Sequence, residues 1–279
     1  MAGNTLRIAL VQQVAGPDRS ENLRRALAAM DRAHEAGARL VVFPEIGLDR
    51  FFPQHERLEN AASLAEPVPG PTANAVAAKA REHGLVTVLN LYESDGNGRY
   101  FDSSPVFDAD GSLLGVTRMV HITDYACFHE RRYYHPGDRG VPVYQTQVGR
   151  IGVAICYDRH YPEYMRALGI RGAELVAIPQ AGSVGEWPEG LYEAEVRTAA
   201  FQNGYFVALC NRVGPEERLT FSGESFVVDP EGQVIARGKS LEEDLVITDV
   251  DLARCADSTA RRLFWQDRRP ELYPAWLEP

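Results

Sequence analysis

The chain has 279 residues, of which 45% are hydrophobic and 24% are charged, as expected of a globular protein with a sizeable core. Its formal net charge of −10 argues against nucleic acid or an anionic membrane as the main partner. The N-terminal sequence MAGNTLRIALVQQ lacks the pattern of a signal peptide, and no segment is long and apolar enough for a transmembrane helix, so we expect a cytoplasmic protein.

Predicted strands and helices alternate in the first third of the chain. Residues 6–12 predict a strand, 20–37 a helix capped by Ser20 and ended by Gly37, and 39–45 a buried strand. A second helix over 71–84 and a strand over 85–93 follow. The turn sequences DGNG and DADG within residues 96–120 then predict an antiparallel pair.

A long polar loop over 121–142 precedes a second alternating series. The predicted elements are a strand over 150–156, a helix over 161–172, a strand over 174–182, a helix over 189–204, a strand over 205–213 and late β segments over 222–237 and 244–252. Because no linker or repeat divides the chain, this pattern favours one α/β domain with mixed sheets.

Three predicted strands end in reactive side chains, namely Glu45, Cys156 and Gln180. Functional groups gather at the carboxyl ends of strands in α/β proteins. Cys156 lies in GVAICYDRHYPE, at a strand-to-helix turn whose backbone N–H groups can bind an oxyanion, and a nearby glutamate could take the thiol proton. By position alone, a packing role for Cys156 is favoured, and Glu45 and Glu130 are most simply loop acids.

The four cysteines show no metal-binding spacing. Cys127, Cys156, Cys210 and Cys255 lack a CxxC motif and a zinc-like histidine pattern. In a cytoplasmic protein we expect all four to be free thiols.

Five long segments resemble the nitrilase or carbon–nitrogen hydrolase superfamily, and particularly its N-carbamoyl amidohydrolase branch. They are LVVFPEIGLDRFFP, HERRYYHPGD, GRIGVAICYDRHYPEYMRALGIRGAELV, VRTAAFQNGYFVALCNRVG and RRLFWQDRRPELY. The resemblance implies a four-layer α-β-β-α sandwich with two mixed β-sheets, formed by residues 1–279 as a single hydrolase domain. It also implies a homo-oligomer that acts on a small-molecule amide or carbamoyl substrate with no metal or organic cofactor.

The same resemblance assigns roles to individual residues. Glu45 would be the general base, Cys156 the nucleophile and Glu130 a second glutamate that orients its neighbours. The backbone N–H of Tyr157 would bind the oxyanion. The residues expected to bind substrate are Phe51, His121, His129, Tyr157, Arg159, His160 and Gln180.

One expected catalytic residue is missing. The family has a lysine between an arginine and a histidine in the segment that here reads Arg118-Met119-Val120-His121, so Met119 occupies the lysine position. Losing one such oxyanion-stabilising group typically costs roughly 10²–10³ in rate. Neither Lys79 nor Lys239, the only lysines, is placed to replace it. A second departure is Asp102, where relatives often have asparagine.

Three interpretations of Met119 remain open from the sequence. In the first, the protein is a hydrolase in which Arg118, His129, Arg131 or a cationic substrate supplies the missing charge. In the second, the site binds an amide or carbamoyl ligand but turns it over poorly. In the third, the chemistry has shifted to an atypical substrate or to acyl transfer.

Overall fold

The computed structural model describes residues 5–277. Its strands, in chain order, are β1 (Thr5–Gln12), β2 (Leu40–Val42), β3 (Val86–Val88), β4 (Leu91–Ser94), β5 (Tyr100–Phe107), β6 (Leu113–Arg118), β7 (Val143–Thr146), β8 (Gly149–Val153), β9 (Leu175–Gln180), β10 (Phe206–Asn211), β11 (Val213–Pro215), β12 (Thr220–Ser222), β13 (Phe226–Val228), β14 (Val234–Arg237) and β15 (Asp244–Asp251). The α-helices are α1 (Arg19–Glu35), α2 (Pro71–His83), α3 (Pro162–Ile170), α4 (Leu191–Asn203) and α5 (Tyr273–Leu277).

These strands form two large mixed sheets. The first has the order β15-β1-β2-β3-β5-β4, with β6 also paired to β5, and the second has the order β14-β13-β10-β9-β8-β7. Strands β1, β2 and β3 are parallel to one another, as are β8, β9 and β10, while the outer strands are antiparallel. Strands β11 and β12 form a separate hairpin.

Alternating side chains along the strands separate the molecule into four layers. Ile8 and Leu10 of β1 belong to a buried cluster shared with Ile151 and Val153 of β8, which lies between the two sheets. The intervening residues of β1 pack instead against α1 and α2, and the outer face of the second sheet packs against α3 and α4. This period-two alternation places one helical layer outside each sheet and confirms the predicted α-β-β-α sandwich.

The prediction that Ser20 caps the first helix is wrong. The N-cap is Asp18, whose carboxylate accepts hydrogen bonds from the backbone N–H groups of Ser20 at 2.9 Å and Glu21 at 3.4 Å. The Ser20 hydroxyl donates to the same carboxylate at 2.6 Å. The helix ends at Glu35, and Gly37 follows with a φ of +82°, which favours glycine.

The single strand predicted over 85–93 is two strands. β3 pairs with β2 and β5, whereas β4 pairs with β5 and forms a single bridge from Glu93 to Glu66. Between them lies Asn90, a buried residue whose amide donates to Asp102 at 2.6 Å and accepts from the Ile46 N–H at 2.7 Å. The side chain that interrupts the strand therefore connects three segments that meet near Glu45.

The cysteines are unpaired, as the sequence predicted. All four cysteines are free thiols, with Cys127 partly exposed and the other three buried. Among residues 5–277 we find no helix with the length and apolar character needed to cross a bilayer.

Asp18→Ala should lower the free energy of unfolding by about 1 kcal/mol, because two N–H groups at the start of α1 lose their acceptor. Urea titration of the unfolding transition measures this. Ser20→Ala is the matched control and should cost clearly less, since its hydroxyl only donates to an exposed carboxylate. A larger loss for Ser20→Ala than for Asp18→Ala would contradict the assignment of the cap.

Candidate active site

Glu45, Glu130 and Cys156 meet at one buried point. Glu45 lies in the turn after β2, Glu130 starts a short 3₁₀ turn in the loop between β6 and β7, and Cys156 starts a 3₁₀ turn after β8. One carboxylate oxygen of each glutamate and the Cys156 Sγ all lie within 4.8 Å of one another. The two glutamates are fully buried and Cys156 is 4% exposed. The structure therefore brings together the three residues that the sequence singled out.

Two of these turns have unusual backbone geometry. Cys156 has a φ of +42° and Ile46, next to Glu45, a φ of +44°, values that non-glycine residues rarely adopt. The carbonyl of Cys156 accepts from Arg159 Nη1 at 3.0 Å, and that of Glu45 accepts from Arg212 Nη1 at 3.0 Å. Buried arginines thus hold both strained turns in place.

The thiol has one side-chain partner, Gln180. The Gln180 Nε2 donates to Cys156 Sγ at 3.2 Å, while its Oε1 accepts from Arg159 Nη1 at 2.9 Å. Because arginine is only a donor, this contact fixes which end of the Gln180 amide faces the sulfur. Arg159 is itself held over the Tyr192 ring at 4.2 Å and within 3.4 Å of Glu195.

Burial shifts the titration of the whole cluster. Desolvation, followed by repulsion from Glu130, raises the pKa of Glu45 to about 8. Desolvation and the neighbouring Asp102 raise the pKa of Glu130 well above its usual range. Desolvation and the two glutamates likewise raise the pKa of the Cys156 thiol. In each case burial is the larger cause, since it penalises the charged form.

The acids of the site lack a paired cation. Within residues 5–277, Glu45, Asp102 and Glu130 form no salt bridge, and no carboxylate oxygen of Glu45 or Glu130 accepts a hydrogen bond from a protein donor. Met119, at the expected lysine position, is fully buried in the same apolar cluster as Cys156. The site therefore combines three buried carboxyl groups and a thiol with an uncharged side chain at position 119.

The proposed replacements for the lysine are bound elsewhere. Arg118 pairs with Glu93 at 2.6 Å and with Asp138 at 2.8 Å. His129 lies 3.2 Å from Asp124, and Arg131 donates to the Ile122 carbonyl at 3.0 Å.

Neither lysine of the chain reaches the site. Lys79 pairs with Asp31 and Glu82, and Lys239 with Glu242. None of the five candidate side chains therefore takes the place of the lysine by direct contact.

Two residues expected to bind substrate have packing roles. His121 contacts Asp158 through Nδ1 at 2.7 Å and stacks on Tyr161 with 3.5 Å between ring centroids. Phe51 is fully buried against the rings of Phe128 and Phe221. Phe51 is fully buried, whereas the His121 side chain keeps 27% of its surface exposed.

Tyr157 and His160 lie in a cycle of half-buried rings. Tyr125, Tyr157, His160 and Trp187 contact one another in turn, with centroid distances from 4.9 to 6.4 Å. Glu186 accepts from the Tyr125 hydroxyl at 2.5 Å and from the Trp187 Nε1 at 3.0 Å, and so links two of the rings. The sequence missed Trp187 and Glu186 because they lie in a polar loop without periodicity.

Other contributors were also missed by the sequence. Asn90 interrupts a predicted strand, Arg212 follows β10, and Tyr134 has a buried hydroxyl with no hydrogen-bond partner. Only the buried, apolar context of Arg212 at a strand end could have indicated it. Beside Gln180, a cleft of about 610 Å³ is lined by Trp187, Tyr192 and Asn211 among others.

Comparison with known proteins agrees with this arrangement. Residues 7–259 match the carbon-nitrogen hydrolase family. An N-carbamoylputrescine amidase from Solanum lycopersicum is 31% identical over 284 residues, which cover 97% of this chain and 94% of that protein.

Solved structures are similar over the same length. A carbon-nitrogen hydrolase from Helicobacter pylori G27 superimposes with a TM-score of 0.92 at 29% identity, covering 98% of this chain and 99% of that one. A mutant amidase from Nesterenkonia sp. AN1, with a TM-score of 0.82, 29% identity and coverage of 99% and 98%, carries the acetamide moiety of fluoroacetamide on its active-site cysteine. From the family match, the full-length relatives and the shared fold, this chain belongs to the carbon-nitrogen hydrolase family of enzymes.

Proposed function

We propose that this protein hydrolyses a non-peptide C–N bond, in the amide or N-carbamoyl group of a small molecule, through a thioester on Cys156. The observation that carries the proposal is the meeting of Glu45, Glu130 and Cys156 within 4.8 Å in a buried site. A carboxyl group with a pKa near neutrality beside a thiol is the arrangement that general-base activation of a cysteine requires.

In the first half of the reaction, the Glu45 carboxylate takes the Cys156 proton as Sγ attacks the carbonyl carbon. The tetrahedral intermediate places its negative charge on the former carbonyl oxygen, where the backbone N–H of Tyr157 donates to it. Glu45 returns the proton to the nitrogen of the leaving group, the C–N bond breaks, and ammonia or an amine departs.

In the second half, Glu45 is again a carboxylate and takes a proton from water. The hydroxide oxygen attacks the thioester carbon, and collapse of the second tetrahedral intermediate breaks the C–S bond. The proton held by Glu45 passes to Sγ, which restores the thiol and releases the acid. In this half Gln180 contributes its hydrogen bond to the sulfur as the C–S bond breaks.

Glu130 acts in its neutral form in this scheme. Its burial and raised pKa favour a protonated carboxyl, which can donate a hydrogen bond to substrate or to Glu45. A neutral acid stabilises an oxyanion less than an ammonium does, so we expect a slower enzyme than one with lysine at position 119.

Turnover is supported over ligand binding alone. The relative from Solanum lycopersicum is an N-carbamoylputrescine amidase, and its match covers 97% of this chain. The strained backbone at Cys156 also supports a reactive role, because such geometry costs about 1–3 kcal/mol and a packing residue gains nothing from it.

The substrate is proposed to be small and to bind beside the aromatic cycle of Tyr125, Tyr157, His160 and Trp187. The buried Arg159, whose Nη2 lacks a hydrogen-bond partner while Nε pairs with Glu195, supports an anionic or strongly polar group on the substrate. We further propose that the chain acts as one hydrolase domain in the cytoplasm and associates with copies of itself. The exposed apolar side chains Ile170, Leu263 and Trp276 support that association.

Cys156→Ala should reduce hydrolysis by at least about 10³-fold, because no other group can form the thioester. The assay offers N-carbamoyl amino acids, ω-amides and simple nitriles, and intact-mass spectrometry tests for an acyl adduct. Cys127→Ala, which removes a partly exposed thiol, is the matched control and should retain both turnover and adduct. Hydrolysis that survives in Cys156→Ala would contradict the proposal.

The rate should rise with pH until Glu45 is ionised. An acid acts as a base only above its pKa, so kcat/KM should increase about tenfold per unit below pH 8 and level off above it. The profile is measured from about pH 6 to about pH 9.5 with the best substrate of the panel. Glu45→Gln should abolish the activity and, with it, the rising limb of the pH profile. A flat wild-type profile over this range would exclude Glu45 as the titrating base.

Met119→Lys should raise kcat/KM by up to about 10²–10³-fold, because an ammonium among the buried acids stabilises the oxyanion. It should also move the rising limb of the pH profile to lower pH, since a nearby cation favours the ionised Glu45. Met119→Leu keeps the apolar volume and should change neither quantity much. If wild type showed no turnover and Met119→Lys did, the natural protein would be a binding relative instead.

A further inference from the structure

Glu186 accepts four hydrogen bonds, although the proposed reaction gives it no step. Its Oε1 accepts from the Tyr125 hydroxyl at 2.5 Å and from the Trp187 indole N–H at 3.0 Å. Its Oε2 accepts from the Ser183 backbone N–H at 3.0 Å and from the Tyr192 hydroxyl. Each oxygen of this half-buried side chain therefore has two donors.

The types of donor require an ionised carboxylate at this position. The Trp187 indole N–H faces one oxygen and the Ser183 backbone N–H faces the other, and both groups can only donate. An amide accepts at one end only, so it would leave one of these two N–H groups facing another donor. Hydrogen bonds to a charged acceptor are also stronger than neutral ones.

The four donors come from three segments of the chain. Tyr125 lies in the loop between β6 and β7, Ser183 and Trp187 lie in the loop between β9 and α4, and Tyr192 lies in the first turn of α4. Glu186 thus joins two loops and a helix at a single carboxylate.

The loop between β9 and α4 has few other anchors. The Val184 N–H donates to the Thr220 carbonyl at 2.8 Å. Beyond it, in the part of the chain that the structure describes, the backbone of residues 185–189 forms hydrogen bonds only within residues 183–191. The hydrogen bonds to Glu186 therefore attach this stretch to its neighbours.

The side chains that Glu186 holds form a wall of the cleft beside the nucleophile. Ser183, Trp187 and Tyr192 line the cleft of about 610 Å³, as does Gln180. Gln180 in turn donates to Cys156 Sγ at 3.2 Å. A shift of the loop or of the Tyr192 ring would therefore change the width of the cavity that adjoins the thiol.

We propose that Glu186 is a positioning residue that fixes this wall and thereby limits the size of the substrate that reaches Cys156. It touches no reacting atom and acts through Trp187 and Tyr192. The inference rests on the proposed role of Cys156 as the nucleophile. It narrows the proposed substrates to compact amide or carbamoyl compounds, and it excludes those with a bulky aromatic group beside the scissile bond.

Glu186→Gln keeps the volume of the side chain but loses one acceptor oxygen. It should raise KM for the best substrate about tenfold and change kcat less than about threefold, because the wall contacts the substrate before and during the reaction alike. Steady-state hydrolysis measures both quantities. A role in packing alone would leave this nearly isosteric variant unchanged.

Alkylation of Cys156 reports the width of the cleft without any turnover. The reagents are iodoacetamide and the bulkier N-benzyliodoacetamide, and intact mass follows the adduct in a Cys127→Ala background, which removes the partly exposed thiol. In wild type the smaller reagent should react faster. Glu186→Ala should reduce this preference by about tenfold, since the wall loses all four of its hydrogen bonds to the carboxylate.

Glu163→Ala is the matched control. It removes an exposed carboxylate from the first turn of α3 whose side chain has no hydrogen bond or ion pair among residues 5–277. The control should leave KM, kcat and the preference between the two reagents unchanged.

Three results would overturn the inference. Glu186→Gln could match wild type in KM and in reagent preference, in which case the carboxylate is not required. Glu186→Ala could lower kcat with KM and reagent preference unchanged, which would assign the residue to the chemical step. Glu163→Ala could give the same changes, which would indicate a general effect of charge.

Poor folding of Glu186→Ala would leave the test intact, because Glu186→Gln is read by both measurements. Failure of the proposed reaction is distinguishable from failure of this inference. Hydrolysis would then survive in Cys156→Ala, whatever the two reagents show.

Discussion

Burial of acidic groups without a cation is the constraint that governs this site. Glu45, Asp102 and Glu130 have no solvent exposure and form no ion pair within the described chain, and Glu45 and Glu130 lie beside the buried Cys156 thiol. Three carboxylates in such a place would each lose hydration that nothing restores, a cost of several kcal/mol per charge. Protons bound to the carboxyl groups must therefore provide the neutralisation that a lysine would otherwise provide. The chemistry then depends on which carboxyl group releases its proton first.

The buried arginines near the site bind groups other than the three acids. Arg118 is buried but paired with Glu93, and Arg212 is buried but bound to Glu216 and to backbone oxygens of the Glu45 turn. Arg159 reaches the thiol only through Gln180 and the Cys156 carbonyl. Each arginine stabilises the backbone or the amide that shapes the site, and none touches the reacting carboxylates. The local field thus remains negative even though the chain is rich in arginine.

The sequence predicted the layers and the reactive strand ends because both follow from local pattern. Apolar runs located β2 and β8, and Glu45 and Cys156 follow the ends of those two runs. The burial of Glu130 was not predictable by spacing, since a charged loop residue among aromatics and arginines is usually solvated. The hydrogen bonds that join Asn90 to Asp102 and to the Ile46 N–H depend on the pairing of β4 with β5 and on a break in a predicted strand, and both are features of the tertiary structure. Asp18 and not Ser20 caps α1. Either side chain can accept the N–H groups at a helix start, and the angle at which the chain enters the helix decides which one does.

Stability and catalysis oppose each other at Glu45. A carboxyl group whose folded pKa is raised holds a proton that the unfolded chain releases near pH 4, so its contribution to stability falls as pH rises above that value. The loss is about 1.4 kcal/mol per pH unit per proton and continues until the folded group ionises, at about pH 8 for Glu45. Ionised Glu45 is the form that the base requires, so the active protonation state is reached only after this stabilisation has been lost. A lysine at position 119 would relieve the same conflict by charge. Because Met119 occupies that position, both the stability and the reactivity of the site depend on how many protons its carboxyl groups retain.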